Sequence, residues 1–158
     1  MSKISPCLWF NGEAEEAAQF YATVFPDAAI GAIGRYGEGA PFPAGTAMLV
    51  EFTLAGQSFQ ALSGGPQFPF TEAISMSVRC ADQAEVDHFW NALTEGGAPG
   101  RCGWLKDRFG VSWQIVPEAL VRLQNAGDPV ATGRMMQALM RMSRLDVAAL
   151  ERAYEGRG

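Results

Sequence analysis

The chain has 158 residues, 48% hydrophobic and 18% charged, a balance that excludes a disordered segment and supplies a packed core without disulfide or metal staples. Twelve Lys and Arg against seventeen Asp and Glu leave a net charge of -5, so the positive footprint that nucleic-acid binding needs is missing. A single His narrows the chemistry further, because zinc, iron and nickel sites and neutral-pH acid–base catalysis draw mainly on imidazole.

Residues 1–10 carry one Lys and then Pro6 in a short apolar run, without the long apolar stretch and cleavage pattern of an export signal. No run approaches eighteen apolar residues, so no membrane span is expected and the predicted location is cytoplasmic. Cys7, Cys80 and Cys102 are odd in number and fit no CxxC spacing, which argues against a disulfide framework or zinc ribbon. They read as small, partly buried side chains, and Cys102, before Gly103 and Trp104, is the one to test for reactivity.

In chain order, the pattern predicts a strand over residues 4–10, a helix over 13–25, and strands over 28–36, 46–54 and 57–63, with Ala55-Gly56 as the tight turn between the last two. A second strand, helix and strand series follows: a strand over 73–80, a helix from the Asp82 N-cap to about 95, and strands over 103–107 and 111–117. The series repeats itself. At an offset of 69, Ala17, Phe20, Tyr21 and Val24 match Val86, Phe89, Trp90 and Leu93, the apolar stripe of two amphipathic helices. At an offset of 54, Gly56-Gln57-Ser58-Phe59-Gln60 matches Gly110-Val111-Ser112-Trp113-Gln114. The first half therefore carries about fifteen extra residues, placed in the Gly/Pro-rich stretch 34–45, and the matching strand of the second half is short, near 99–101.

After Pro117 the pattern is helical: residues 118–125, a helix opened by Asp128-Pro129, and 147–154 capped by Asp146. The stripe Met135, Met136, Leu139, Met140 and Met142 fits packing on the same domain or on a second subunit, with an adaptable binding surface as the alternative. Arg134, Arg141, Arg144, Arg152 and Arg157 are interleaved with Asp146, Glu151 and Glu155, as on a solvated helix face.

Two βαβββ modules in a chain of this length resemble the vicinal oxygen chelate superfamily of glyoxalases, ring-cleaving dioxygenases and bleomycin-resistance proteins. More narrowly, the chain resembles its PhnB-like family, labelled the 3-demethylubiquinone-9 3-methyltransferase domain. The residues that carry the likeness are Ser5-Pro6-Cys7-Leu8-Trp9-Phe10 followed by Glu15-Glu16-Ala17, then Ser63-Gly64-Gly65-Pro66, Cys102-Gly103-Trp104-Leu105-Lys106-Asp107, Ser112-Trp113-Gln114-Ile115-Val116-Pro117, and the Met-rich helix before Leu145-Asp146-Val147. The resemblance implies an α+β fold in which module one, about residues 1–65, and module two, about 70–117, curl a mixed sheet around a small-molecule cavity. A helical extension over 118–158 completes a single domain, and a homodimer is the common assembly.

Superfamily enzymes hold a divalent metal with one residue on the first strand and one on the last strand of each module. That pattern puts the four positions at Pro6, Gln60, Ser75 and Gln114, none a strong ligand, and the lone His88 lies on a helix away from them. Neither a metal nor another cofactor is expected. Strand alternation then puts Pro6, Leu8 and Phe10 on one face, Ser75 with Ser77 and Arg79, Gln60 with Ser58 and Leu62, and Gln114 with Ser112 and Val116. The cavity candidates are Leu8, Phe10, Gln60, Ser75, Ser77, Arg79, Trp104 and Gln114. Trp9, Phe59, Trp90 and Trp113 are expected to face the helices. Arg79 could hold a carboxylate or phosphate, or pair with Asp82; Gln60 and Gln114 could contact a ligand or bond to each other.

No GxGxxG turn follows a strand, so the residues do not support an S-adenosylmethionine cradle, and Gly64-Gly65-Pro66 reads as a turn between modules. No His on the cavity side could serve a Ser or Cys nucleophile, and the carboxylates Glu51 and Asp107 read as solvated or structural. The leading expectation is a metal-independent protein that binds a small, partly apolar molecule. The alternatives are a metal-dependent lyase, isomerase or dioxygenase, and a protein-interaction module using the Met-rich helices.

Overall fold

The structure, a computed structural model, describes residues 2–157, and the chain divides into two units between Phe70 and Thr71. The first unit runs β1 (Cys7–Phe10), α1 (Ala14–Val24), β2 (Ala28–Arg35), β3 (Ala47–Leu54) and β4 (Gln57–Ser63). The second runs β5 (Met76–Cys80), α2 (Gln83–Thr94), β6 (Ala98–Pro99), β7 (Trp104–Lys106) and β8 (Ser112–Pro117), followed by α3 (Glu118–Gln124), α4 (Pro129–Leu139) and α5 (Val147–Tyr154). The strand orders are β1-β4-β3-β2 and β5-β8-β7-β6, and in each sheet only the first pair is parallel. Both modules are βαβββ, as the repeat predicts.

Two strands begin later than their apolar runs. Pro6 has no N–H for a ladder, and β1 starts at Cys7. Ahead of β5, the Thr71 hydroxyl accepts from Ala73 N (3.3 Å), a local turn that delays pairing until Met76. The β6 strand has two residues, the short third strand that the sequence suggested.

Each helix buries the stripe that the repeat identified. In module one, Ala17, Ala18, Tyr21 and Val24 of α1 lie against Leu8, Phe10, Val50, Phe52 and Phe59, and Phe52 stacks on Phe59 at 5.3 Å between centroids. In module two, Val86, Phe89, Trp90 and Leu93 of α2 are buried, as are Leu105, Trp113 and Ile115 on the sheet. Each such large side chain contributes about 1.5–3 kcal/mol through its removal from water. The two helices start differently. Asp82 accepts from Glu85 N (2.9 Å), and Glu85 accepts from Ala81 N (3.2 Å), the residue before the cap. In α1 the Glu13 side chain caps no helix amide and accepts from Asn11 N (3.1 Å), and Ala14 N donates instead to Ser63 Oγ (3.2 Å) at the end of β4.

That difference reaches back into the strands. Cys7 stands opposite Gln60, and Ser77 stands opposite Gln114. The first strands therefore match at an offset of 70, the helices at 69, and module one has one residue more between strand and helix. Gly12, at φ +92, takes up the turn there. Shifting a strand by one residue exchanges its faces, so the expectation for β1 is corrected. Leu8 (5% exposed) and Phe10 (1%) lie under α1 in the core, and Trp9 shares the uncovered face with Cys7 and Gln60. Phe59, Trp90 and Trp113 are buried as expected.

The Ala55-Gly56 turn has φ of 49° and 83°, positive at both positions as a two-residue hairpin requires. Ala is strained there and Asn is not, so Ala55→Asn is expected to raise stability by about 0.5–1 kcal/mol, read as a Tm increase of about 2 °C in a thermal melt.

The extension joins module two. Leu120, Met135, Leu139, Leu145 and Leu150 form a buried cluster against which Cys102, Val116, Met136 and Met142 pack. The Met stripe is thus largely core, although Met140 is exposed. Asp128 and Asp146 cap α4 and α5 by accepting from Ala131 N and Ala149 N, both at 3.0 Å. Gln83 of α2 donates to Leu145 O (3.0 Å) and accepts from Val147 N (2.7 Å), and the Cys102 and Gly103 amides donate to Met142 O and Ser143 O. No helix among the described residues is long and apolar enough to cross a membrane.

Candidate functional site

In each module one sheet face lies under the helix and the other carries the polar repeat. On module one that second face presents Cys7 and Trp9 from β1, Glu51 and Thr53 from β3, and Ser58, Gln60 and Leu62 from β4. The Trp9 indole donates to Gly65 O (2.9 Å) and meets Phe68 edge-on at 4.9 Å. A Cβ on Gly64 would come within 2.3 Å of the Trp9 ring, so the Gly64-Gly65-Pro66 motif is a backbone clamp on this indole. Beside it a cleft of about 630 Å³ lies between residues 2–5 and Glu51, Ser58 and Gln60. The Gln60 side chain makes no hydrogen bond among the described residues.

On module two the same face brings together Ser75, Ser77, Arg79, Trp104 and Gln114, five of the eight residues expected from the sequence. Gln114 Nε2 donates to Ser75 Oγ (2.9 Å), with Trp104 directly across from Gln114 on β7. Arg79 is exposed and forms no ion pair among the described residues; Asp82 is engaged in the helix cap instead. Next to Trp104 is a pocket of about 450 Å³ whose apolar lining comes from Ala98, Pro99 and Trp104. Its polar lining comes from Glu72, Arg101, Lys106 and Ser112. Lys106 is salt-bridged to Glu72 and, through that hydrogen bond, holds the Glu72 carboxyl below its ordinary value. Ser112 is 1% exposed, and its Oγ has no hydrogen-bond partner among the described residues.

Sequence reasoning put Ser112 on this face without giving it a role. The only signal was its identity with Ser58 in the repeat. Glu72, Pro99 and Arg101 stand in turns and on the short β6, where no periodicity marks them.

The donor set of neither module fits a divalent cation. Module two offers neutral Ser and Gln, and module one offers Gln60 and Cys7, whose thiol is pushed up by burial, away from the thiolate that metals bind. His88 is exposed on α2 with its ring against Phe89, and no group of three His, Cys, Asp or Glu side chains is arranged for a metal among the described residues. Burial, helped by the charges of Glu85 and Asp82, pushes Cys80 up to about 12, so it is no nucleophile. Asp107 is structural: 3% exposed, it accepts from Phe109 N (2.8 Å), Val111 N (3.1 Å) and Trp113 Nε1 (2.9 Å). Elsewhere Arg35 donates to both oxygens of Glu15 (3.0 and 2.9 Å), and that bond lowers the Glu15 pKa. Its small contribution is present above the ordinary carboxylate range and is lost as the pH falls through the lowered value.

Two βαβββ modules, each with one parallel strand pair and a helix on one face, define the glyoxalase fold of the vicinal oxygen chelate superfamily. The sequence pattern of the 3-demethylubiquinone-9 3-methyltransferase family matches residues 2–116. The chain is similar to the PhnB protein from Bacillus cereus, with 37% identity over 73% of this chain and 99% of that one and a TM-score of 0.69. It is also similar to protein PA1353 from Pseudomonas aeruginosa, with 26% identity over 74% and 98% of the two chains and a TM-score of 0.61. The chain belongs to the PhnB-like 3-demethylubiquinone-9 3-methyltransferase family. No curated protein matches it. The helices α3, α4 and α5 lie beyond the matched residues.

Proposed function

We propose that the chain is a small-molecule-binding protein that works without a metal, as a cytoplasmic homodimer, with the polar face of module two as its contact surface. The observation that carries this reading is the juxtaposition of the Trp104 indole with the Ser75–Gln114 hydrogen bond, beside a pocket of about 450 Å³. Apolar walls with a few convergent polar groups, in a volume within the usual range of about 300–1,000 Å³, make a ligand site. Trp104 supplies a flat apolar contact and Arg101, Lys106, Glu72 and Ser112 the polar lining, while Ser77, Gln114 and Arg79, unpaired among the described residues, continue the same sheet face beyond the pocket. The neutral donors at the superfamily's metal positions support metal independence. Methyl transfer is not carried over from the family's name: both sheets have a single parallel pair, without the glycine-rich turn of a nucleotide-type cradle.

A thermal-shift screen of small acids and aromatic compounds tests the reading. A ligand at a hundred times its Kd is expected to stabilise the protein by about 2.7 kcal/mol, a Tm rise of about 5–10 °C. Trp104→Ala is expected to abolish that rise. No shift across the screen, or a shift unchanged in Trp104→Ala, overturns the reading. Elemental analysis addresses the metal: stoichiometric bound metal, lost when Gln60 and Gln114 are both replaced by Ala, overturns metal independence. Sedimentation at micromolar concentration checks the dimer.

A further inference from the structure

Resting on the reading that this face binds a small molecule, we infer that the pocket beside Trp104 takes a flat aromatic acid whose carboxylate meets Arg101 and whose far end carries a hydroxyl or carbonyl bonded by Ser112.

The inference starts from Ser112. A buried hydroxyl without a partner is costly, because it has given up its hydrogen bonds to water and gained none. Such a group in a native protein calls for an explanation, and here it lies in the lining of a pocket. Its strand neighbours are committed: Gln114 is bonded to Ser75, and Lys106, directly across from Ser112, is bonded to Glu72. A ligand atom able to donate to or accept from the hydroxyl would complete it.

The charges decide the other end. Lys106 and Glu72 cancel each other, which leaves Arg101 as the uncompensated charge in the lining. Arg101 is exposed and forms no ion pair among the described residues. It sits at a tight turn in which Trp104 N donates to Arg101 O (3.0 Å), with Cys102 and Gly103 at φ of 59° and 85°. The amides of Cys102 and Gly103 are tied to Met142 O and Ser143 O at 2.9 and 2.8 Å, so the turn that carries Arg101 is anchored on both sides. A planar guanidinium on a fixed turn suits a carboxylate, which it can engage with two parallel hydrogen bonds. Between the two polar ends the apolar lining is Ala98, Pro99 and Trp104, surfaces that favour a ring. The pocket thus asks for polarity at both ends of the ligand and an apolar middle.

Three compounds separate these contributions: 4-hydroxyphenylacetate, phenylacetate without the hydroxyl, and 4-ethylphenol without the carboxylate. Affinities are read from chemical shifts of the Trp104 indole N–H and the Ser112 amide. The expected order puts 4-hydroxyphenylacetate first, with phenylacetate about tenfold weaker and 4-ethylphenol about fivefold weaker. Ser112→Ala is expected to erase the preference for the hydroxyl and keep that for the carboxylate; Arg101→Gln is expected to do the reverse. Ser112→Ala should also raise the Tm of the free protein by about 2 °C, because it removes an unpartnered buried hydroxyl. A fall in Tm would give that hydroxyl a structural partner and overturn the inference. So would loss of the carboxylate preference in Arg79→Gln with Arg101→Gln unchanged, which would move the acid to the other end of the face and leave the broader reading standing. Absence of binding by all three at these two residues also overturns the inference, whereas the broader reading falls only if the wider screen fails as well.

Discussion

Asp107→Ala is expected to lower the free energy of unfolding by about 4 kcal/mol, and the Tm by about 10 °C, the largest loss from any single polar side chain here. Its carboxylate is nearly sealed from water and accepts from two backbone amides of the hairpin that joins β7 to β8 and from the Trp113 indole. Hydrogen bonds to a charged acceptor contribute about 1.5–3 kcal/mol each, and truncation takes the acceptor away from three donors, two of them in buried bonds. Asp107→Asn keeps the shape and one carbonyl oxygen, and is expected to cost about half as much, because its NH₂ must face a donor. Urea unfolding of the two variants checks the order. Equal losses, or a loss below about 1 kcal/mol for Asp107→Ala, would remove the carboxylate from its assigned role.

The second large effect is expected at Gly97. A Cβ there would stand 2.1 Å from Lys106 O and 2.7 Å from the carbonyl carbon of Asp107, both backbone atoms that cannot rotate away. Relief would mean separating β6 from β7, which pair only at Ala98 with Lys106 and Pro99 with Leu105. Gly97→Ala is therefore expected to cost about 3 kcal/mol, and to disturb the pocket wall that Ala98 and Pro99 form. Gly37→Ala is the control, since nothing lies within 4 Å of its Cβ, and it should fall within about 0.5 kcal/mol of the parent protein. If the two variants melt together, the close approach at Gly97 is relieved at little cost and the expectation fails.

Much of the architecture is legible in the residues because it rests on short-range pattern. The helix stripes, the caps at Asp82, Asp128 and Asp146, and the Gly-x-Ser-aromatic-Gln strand each encode their geometry within a few residues. The face of β1 was not legible, because alternation has a period of two and a single residue at Gly12 inverts it. Aligning the repeats on their helices carried the helix offset into the strand, and put Leu8 and Phe10 where Cys7 and Trp9 stand. The polar face of module two was found because Ser75, Ser77, Gln114 and Arg79 lie on regular strands or directly before one. The pocket beside Trp104 was not: its distinguishing side chains, Glu72, Arg101 and Ser112, come from a turn, a hairpin and a strand that only the fold brings together.

The bonds from Gln83 to Leu145 and Val147, and the packing of Cys102 and Val116 on the α3–α5 cluster, also set a schedule for synthesis. Module one can close its core once the first 70 or so residues have been made. Module two can pack α2 on its sheet once β8 is made, but Cys102 and Val116 remain uncovered until residues 135–150 leave the ribosome, about 4–16 s after module one is complete at ordinary elongation rates. During that interval the turn at Cys102 and the end of β8 at Val116 are open to solvent and to chaperones.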